Sequence, residues 1–182
     1  GTSVAINNDM IVVGSPKVTS PSGNARAGAV YIFIKNTSGD GVTWGVHGGD
    51  FFDGGSWFIQ TAKLFAVRHE LSLGEYITVE DDGNSDYFGV QVALDDSYLV
   101  VSSADDDENL SNSGSVYVYL LVDGGGGAGW SYGLAQKITA GNPVENGDFG
   151  GSVDISGNIL TVGAPIDGGH LSGETGAGGL YV

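Results

Sequence analysis

Two short acidic segments carry the side chains of this sequence that are best suited to holding a metal ion. The first consists of four successive carboxylates and an amide: Asp105, Asp106, Asp107, Glu108 and Asn109. The second, residues 80–86, contributes three further candidate ligands: Asp81, Asp82 and Asp86. Calcium prefers hard oxygen ligands, and adjacent carboxylates repel each other unless solvent or a cation neutralises them. Each segment is therefore either a calcium site or a solvated loop, and calcium is the one cofactor that the sequence suggests.

An aromatic-rich segment, residues 43–58, is the candidate surface for contacting a partner. Its aromatic side chains are Trp44, Phe51, Phe52, Trp57 and Phe58. Exposed rings in a glycine-rich insertion form a surface that can stack on sugars or contact a protein. The alternative interpretation is that these rings seal the open end of a stack of sheets.

Two sequons mark candidate glycosylation sites. They are Asn36-Thr37-Ser38 and Asn109-Leu110-Ser111, and neither has proline in the middle. Each asparagine falls in a predicted loop, where a bulky glycan could face water. Glycosylation of Asn36 and Asn109 is expected in a eukaryotic secretory pathway, and chance occurrence is the alternative.

The patterns of common catalytic sites are missing from the sequence. It contains no cysteine, and its three histidines have no second histidine or cysteine at the spacing of metal ligands. Neither a nucleophile elbow, Gly-x-Ser-x-Gly, nor a Walker loop occurs. A catalytic triad assembled from distant positions stays open. We therefore expect a protein without enzymatic activity.

The charge of the chain limits its partners. Six lysines and arginines stand against 22 aspartates and glutamates, which gives a net charge of −16. Such a field repels phosphate backbones and anionic lipid surfaces, so nucleic acid is not an expected partner. No apolar run approaches the roughly 20 residues of a membrane-spanning helix, so no membrane insertion is expected.

The elements that must position these side chains are three copies of one unit. Residues 1–16, 88–104 and 149–165 align with one another, and each copy holds two apolar runs around a short polar turn. Each copy continues into a glycine-led strand of alternating residues: 28–33, 114–119 and 178–182. The first two copies add a further apolar segment: 57–65 and 130–138. Each complete unit therefore has four predicted strands.

The polar turns between the first two strands of each copy are short enough for hairpins. They are residues 7–9, 95–97 and 156–158, whose residue types tolerate positive φ. We interpret residues 1–182 as a single array, with boundaries at about 1–85, 86–147 and 148–182. The third repeat is incomplete because it lacks a fourth strand.

Several short motifs of the three copies resemble FG-GAP repeats, the units of the integrin α-subunit β-propeller and of many secreted repeat proteins. These motifs are the Phe-Gly pairs at 88–89 and 149–150, the Val-Gly-Ala-Pro turn at 162–165 and the Gly-Ser-Val-Tyr-Val strand at 114–118. The resemblance implies an all-β array of four-stranded antiparallel sheets, propeller-like, with about three blades in an incomplete ring. Integrin calcium loops are longer than the hairpin turns of this chain, so that site is not transferred to Asp95, Asp96 or Asp154.

The Phe-Gly pairs have a physical role in such an array. The Phe88 and Phe149 rings are expected to fill the space between neighbouring sheets, while the adjacent glycines admit close backbone approach. An uncovered terminal unit would expose apolar residues, which we expect to include Phe149, Val153 and Ile155. Self-association or further repeats of the same chain would cover them.

These observations favour a non-enzymatic structural or adhesion module located outside the cell or at its surface. Its expected partner is a protein or a glycan at the cell surface, and the chain could be a subunit of a surface assembly or filament. The alternatives are a carbohydrate-binding module that uses the aromatic segment and a propeller-type polysaccharide-degrading enzyme.

Overall fold

The computed structural model describes residues 1–8, 10–20, 23–36, 43–45, 60–64, 85–123, 130–166 and 178–182. Within these ranges every regular element is a β-strand, and no helix is long and apolar enough to cross a membrane. The first sheet contains β1 (Ser3–Ile6), β2 (Met10–Ser15), β3 (Ala29–Asn36), β4 (Thr43–Gly45) and β5 (Gln60–Leu64). The second contains β6 (Val92–Leu94), β7 (Tyr98–Ser103), β8 (Ser115–Asp123) and β9 (Trp130–Thr139). The third contains β10 (Ser152–Ser156), β11 (Ile159–Ala164) and β12 (Gly179–Tyr181).

All strand pairs within the three sheets are antiparallel, and none of the sheets closes into a barrel. In the second and third sheets the strands follow one another in chain order, as in the blades of a propeller, and in the first sheet β1 to β4 do so while β5 also pairs with β3. The predicted fold class is therefore confirmed: the protein is an all-β, propeller-like array of antiparallel sheets.

The fourth position of the first sheet is shared by two strands. The C-terminal part of β3, residues 34–36, pairs with β4, and the preceding part, residues 30–33, pairs with β5. In the second sheet the single long strand β9 fills the same edge. Both sheets shift register at equivalent points, after Ile32 in β3 and after Val118 in β8. Because the bulge recurs, Lys63 of β5 and Lys137 of β9 occupy equivalent positions.

The first two strands of each unit form tight hairpins, as the polar turns predict. The Asp95 carboxylate accepts hydrogen bonds from the backbone nitrogens of Ser97 (2.8 Å) and Tyr98 (2.7 Å), which fixes the β6–β7 turn. The Asn7 side chain accepts the Met10 backbone N–H in the β1–β2 turn, and Gly157 adopts φ +60° in the β10–β11 turn. Side-chain caps and positive φ are the usual devices of such short turns.

The core lies between the sheets and forms two clusters, one at each junction. Phe88 belongs to the cluster between the first two sheets, and Phe149 to the one between the second and third. Both rings are fully buried. Each ring packs edge-on against a tyrosine of its own unit: Phe88 on Tyr117 (5.2 Å) and Phe149 on Tyr181 (5.0 Å). The predicted role of the phenylalanines as fillers between sheets is therefore confirmed.

The expectation that Phe149, Val153 and Ile155 would form an exposed surface is wrong. All three pack into the cluster against the second sheet. Successive side chains of a strand point to opposite faces, so the residues that meet the second sheet cannot also face outward. The exposed apolar side chains on the outer face of the third sheet are instead Ile159, Leu180 and Val182.

Candidate functional site

The backbone just before each Phe-Gly pair clips onto the preceding unit. At the first junction the N–H groups of Ser85, Tyr87 and Phe88 donate to the carbonyls of Ala25 (2.9 Å), Arg26 (3.1 Å) and Ala27 (3.1 Å). At the second junction the donors are Asn146, Asp148 and Phe149, and the acceptors are Ser111 (2.8 Å), Asn112 (3.5 Å) and Ser113 (3.1 Å). The same three bonds therefore join both pairs of units, and we call this arrangement the clip.

The clip holds non-glycine residues in the left-handed backbone region, with positive φ. Ser85 and Tyr87 have φ of 74° and 56°, and Asn146 and Asp148 have 55° and 52°. The left-handed region costs an ordinary residue roughly 1–2 kcal/mol. Such residues persist only where the surroundings over-determine them, and here the three clip bonds do so.

Asp106 is the one member of the acidic segment 105–109 whose side chain is buried. Its carboxylate accepts hydrogen bonds from the Ser115 hydroxyl (2.8 Å), the Tyr117 hydroxyl (2.9 Å) and the Glu108 backbone N–H (2.8 Å). It also forms an ion pair with Lys137, at 3.0 Å. The charge is thus neutralised within the second sheet, as a buried carboxylate requires.

Tyr117 connects this buried ion pair to the Phe-Gly junction. Burial and then the negative charge of Asp106 raise the pKa of Tyr117, so its hydroxyl stays protonated and donates to that carboxylate. The Lys137 ammonium lies 5.2 Å from the centre of the Tyr117 ring, and the same ring packs against Phe88. Lys137 stands directly opposite Tyr117 in the β8–β9 ladder. The lysine, the carboxylate and the two aromatic rings therefore form one cluster.

Sequence reasoning did not identify Ser115, Tyr117 or Lys137 as partners of the acidic segment. A signal for the first two existed, because Ser115 and Tyr117 lie two residues apart and so share one face of a predicted strand. No short-range pattern pointed to Lys137, which reaches Asp106 only through the pairing of β8 with β9.

The other carboxylates of the acidic segment lie nearer to solvent. Asp107 accepts the Asn112 backbone N–H at 2.6 Å, and Glu108 pairs with Lys137 at 2.6 Å. Asp105 is partly buried, and burial, followed by the charges of Asp148 and Asp107, raises its pKa. Burial also raises the pKa of Asp148, which belongs to the clip of the third unit. Repelling carboxylates from two units therefore meet at this junction.

Calcium binding stays a prediction. Among the residues that the structure describes, no three acidic or histidine side chains converge as a metal site. In the second acidic segment, Asp86 is buried and its backbone carbonyl accepts the Ser103 hydroxyl at 2.8 Å. Asp81 and Asp82 lie outside the described ranges.

The remaining candidate residues fall in different places. Asn109 is exposed in the β7–β8 loop, whereas Asn36 is the last residue of β3, with its backbone opposite Thr43. Trp44 lies in β4, with its backbone opposite Lys35. The other aromatic residues of the candidate partner surface lie outside the described ranges: Phe51, Phe52, Trp57 and Phe58.

The raised pKa of Asp105 predicts a pH-dependent gain from its neutralisation. A carboxyl whose folded-state pKa lies above the ordinary value of 3.8 destabilises the fold when ionised, and acidification through that pKa removes the penalty. We expect Asp105→Asn to raise the free energy of unfolding by up to about 1 kcal/mol at about pH 7, a modest gain because solvent screens the charge. The gain should disappear at about pH 3.

Urea unfolding at the two pH values measures this difference. The exposed Asp96 provides the control, because Asp96→Asn also removes one negative charge but at a hairpin turn away from the clip. A gain from Asp105→Asn that persists unchanged in acid would contradict the assignment.

The chain was compared with protein families and with curated proteins. A family model described as FG-GAP repeat matches residues 1–33, 75–119 and 132–182, which together make up well over half of the chain. No curated protein matches. The first range contains strands of the first sheet and the second range contains strands of the second sheet, whereas the third range contains most of β9 from the second sheet together with the whole third sheet. The last two ranges include the Phe-Gly clips. On this match, the chain belongs to the FG-GAP repeat family.

Proposed function

We propose that this protein is a non-enzymatic structural or adhesion module that works outside the cell and presents a binding surface to a protein or glycan. The observation that carries the proposal is the use of its buried polar side chains. The Ser115 and Tyr117 hydroxyls both donate to Asp106, which also pairs with Lys137, and these bonds stabilise the second sheet beside the first junction. Polar groups that form hydrogen bonds and ion pairs inside the protein support a rigid scaffold. FG-GAP repeats are typical of extracellular proteins, which supports the location.

The binding surface that we propose is the insertion at the fourth-strand position of the first sheet. The second sheet fills this edge with the continuous strand β9, whereas the first sheet fills it with β4 and β5. The stretch between those two strands, residues 46–59, carries four of the five candidate aromatic residues. Repeat arrays place such insertions on one face, which is often the binding face.

A carbohydrate is the ligand class that the aromatic content favours. Aromatic side chains supply large rigid contact areas, and they dominate binding energies where they are central to an interface. Calcium, bound by the acidic segment at residues 105–109, remains part of the proposal as a cation that could neutralise Asp105 and Asp107.

We expect the double variant Trp57→Ala/Phe58→Ala to lose ligand binding by at least about tenfold, because truncating aromatic anchors commonly costs more than about 1 kcal/mol each. Glycan arrays and cell-surface binding assays with the purified protein, in calcium and in EDTA, measure the loss. Trp130→Ala, at the start of β9 and outside the insertion, is the matched control.

The same assays separate the alternatives. Glycan binding without product release supports a carbohydrate-binding module, whereas release of shortened sugars from a polysaccharide would overturn the non-enzymatic role. Undiminished binding in the Trp57→Ala/Phe58→Ala protein would show that the partner surface lies elsewhere on the array.

A further inference from the structure

The clip between the second and third units contains a dipeptide whose side chain can react with its own backbone. Asn146 donates one of the clip bonds, and it is the only asparagine of the sequence that glycine follows directly. The backbone nitrogen of the next residue can attack an asparagine side-chain amide, and glycine hinders that attack least because it has no Cβ. The clip between the first two units has Ser85 and Asp86 at these positions, so it lacks the reactive pair.

The geometry of the clip favours both residues of this pair. The Gly147 backbone N–H donates to the Val144 carbonyl at 3.1 Å and closes a four-residue turn. Asn146 is the third residue of that turn and has a φ of 55°, a conformation that asparagine tolerates better than most residues. A Cβ at Gly147 would lie 2.9 Å from Val144 Cγ2 and 3.0 Å from the Val144 carbonyl oxygen, so the turn leaves little room for a side chain.

The closed clip restrains the atoms that would react. The Asn146 side-chain oxygen accepts a hydrogen bond from Asn112 Nδ2 at 2.8 Å, and the Asn146 backbone N–H donates to the Ser111 carbonyl at 2.8 Å. Gly147 is buried and its N–H is already bonded, whereas the Asn146 side chain is exposed. A buried, hydrogen-bonded amide meets base from the solvent only after local opening. The attack therefore requires the clip to open.

We propose that Asn146 is a site of spontaneous deamidation, at which transient opening of the clip permits the reaction and the product hinders the clip from closing again. In the open clip, the Gly147 nitrogen loses its proton to base in the solvent and forms a bond to the side-chain carbonyl carbon of Asn146. The bond from that carbon to the side-chain nitrogen breaks, and the nitrogen takes up a proton and leaves as ammonia. Water then opens the resulting succinimide ring at either carbonyl, which yields aspartate or isoaspartate. The net reaction consumes one water and releases one ammonia.

Both products weaken the contact between the second and third units. Isoaspartate routes the main chain through the former side chain and lengthens it by one carbon. The clip donors face the carbonyls of three consecutive residues, Ser111 to Ser113, so a longer backbone loses this register. Aspartate keeps the backbone but adds a negative charge two residues from Asp148, where the charges of Asp148 and Asp107 already oppose ionisation of Asp105.

The consequence is a junction that loosens irreversibly with age. The frequency of clip opening sets the rate, because the closed clip does not react. The third unit should therefore detach progressively, while the insertion of the first sheet stays intact. This inference goes beyond the proposed binding role and does not depend on it.

Peptide mass spectrometry with isoaspartate detection, after incubation of the purified protein in mildly alkaline buffer, tests the site. Deamidation should concentrate at Asn146, while Asn158, which is exposed but followed by isoleucine, should keep its amide. A synthetic peptide of residues 140–150 should react at least about tenfold faster than the folded protein, because it has no clip to open.

One pair of glycine variants tests the dependence on opening. Gly114→Ala drives a Cβ into the Phe149 backbone and should speed deamidation of Asn146 by at least about tenfold. Gly28→Ala makes the same overlap with the Phe88 backbone in the clip between the first two units, and it should change this rate much less. If circular dichroism shows Gly114→Ala to be unfolded, urea below the unfolding transition replaces it, and the rate should rise with urea concentration.

The effect of the product is measured by urea unfolding and limited proteolysis of aged protein. Aged protein should unfold at lower urea and be cut faster between the second and third units than fresh protein. Asn146→Ser introduces the residue type that Ser85 provides at a φ of 74°, and this variant should age without the change. Asn146→Asp adds the charge alone and should lose less stability than the isoaspartate form.

Three outcomes would overturn the proposal. The first is an Asn146 amide that survives in the folded protein even when urea or Gly114→Ala opens the clip. The second is a folded protein that reacts as fast as the peptide. The third is deamidated protein that unfolds and is cut like fresh protein.

Discussion

Replacing Gly114 with alanine is expected to lower the free energy of unfolding by about 3 kcal/mol or more, because left-handed backbone strain and overpacking add at this position. Gly114 has a φ of 83°. A Cβ there would overlap the Phe149 carbonyl oxygen and lie 2.6 Å from the Phe149 backbone nitrogen and 2.8 Å from the Ala104 carbonyl oxygen. These are backbone atoms, so they can withdraw only if the clip between the second and third units opens.

Gly178→Ala is the matched control for this effect. Gly178 has a similar φ of 75°, but a Cβ there would find its nearest described atom at 3.5 Å. Its cost should be limited to the left-handed strain of roughly 1–2 kcal/mol. Urea unfolding followed by tryptophan fluorescence, with limited proteolysis of the third unit, measures both variants. Equal losses at the two glycines would show that the close approach of Phe149 contributes nothing.

Replacing Lys137 with methionine is expected to cost about 2–3 kcal/mol, because Asp106 is buried and would lose its cation, although Lys137 itself is partly exposed. Asp106 would keep its bonds from Ser115 and Tyr117 but lose the only cation bonded to it in the described part of the chain. Methionine preserves much of the packing of the lysine stem, so the loss reports mainly on the uncompensated charge.

A double-mutant cycle with Asp106→Asn separates charge from packing. The double variant Asp106→Asn/Lys137→Met should be less destabilised than the sum of the two single variants, because no buried Asp106 charge remains to lose its cation, and Glu108, which also loses Lys137, is exposed. Lys17→Met, at an exposed lysine, should change stability by no more than about 0.5 kcal/mol. Additive effects of Asp106→Asn and Lys137→Met in urea unfolding would refute the coupling.

The substitutions at Asp106 and Lys137 act on one continuous set of contacts. The Lys137–Asp106 pair holds Tyr117, Tyr117 packs on Phe88, and Phe88 belongs to the clip on the first unit. Damage to the buried ion pair should therefore loosen the junction between the first two units as well as the second sheet. In a repeat array, stability depends on such contacts between neighbouring units.

Local patterns along the chain are sufficient to predict the repeat, the strands and the hairpins. Alternation of apolar and polar residues has a period of two in a strand, and polar turn residues separate the strands, so both features can be recognised without any knowledge of the partners. The Phe-Gly pairs recur in the same place in the second and third copies, which is why their role between sheets could be predicted. The glycine before each third strand was also recognisable in the sequence. The close approach of the following phenylalanine backbone, which explains the glycine at the two junctions, was not.

The side chains that the junctions use depend instead on contacts between distant parts of the chain. Four adjacent carboxylates look alike along the chain, and Asp106 differs from Asp105 and Asp107 because β8 and β9 bring Lys137, Ser115 and Tyr117 to it. The left-handed residues of the clip adopt their conformation because another unit supplies the acceptors. Alternation likewise places Ile155 and Leu180 on opposite faces of the third sheet, but it is the docking of that sheet on the second that determines which face meets water.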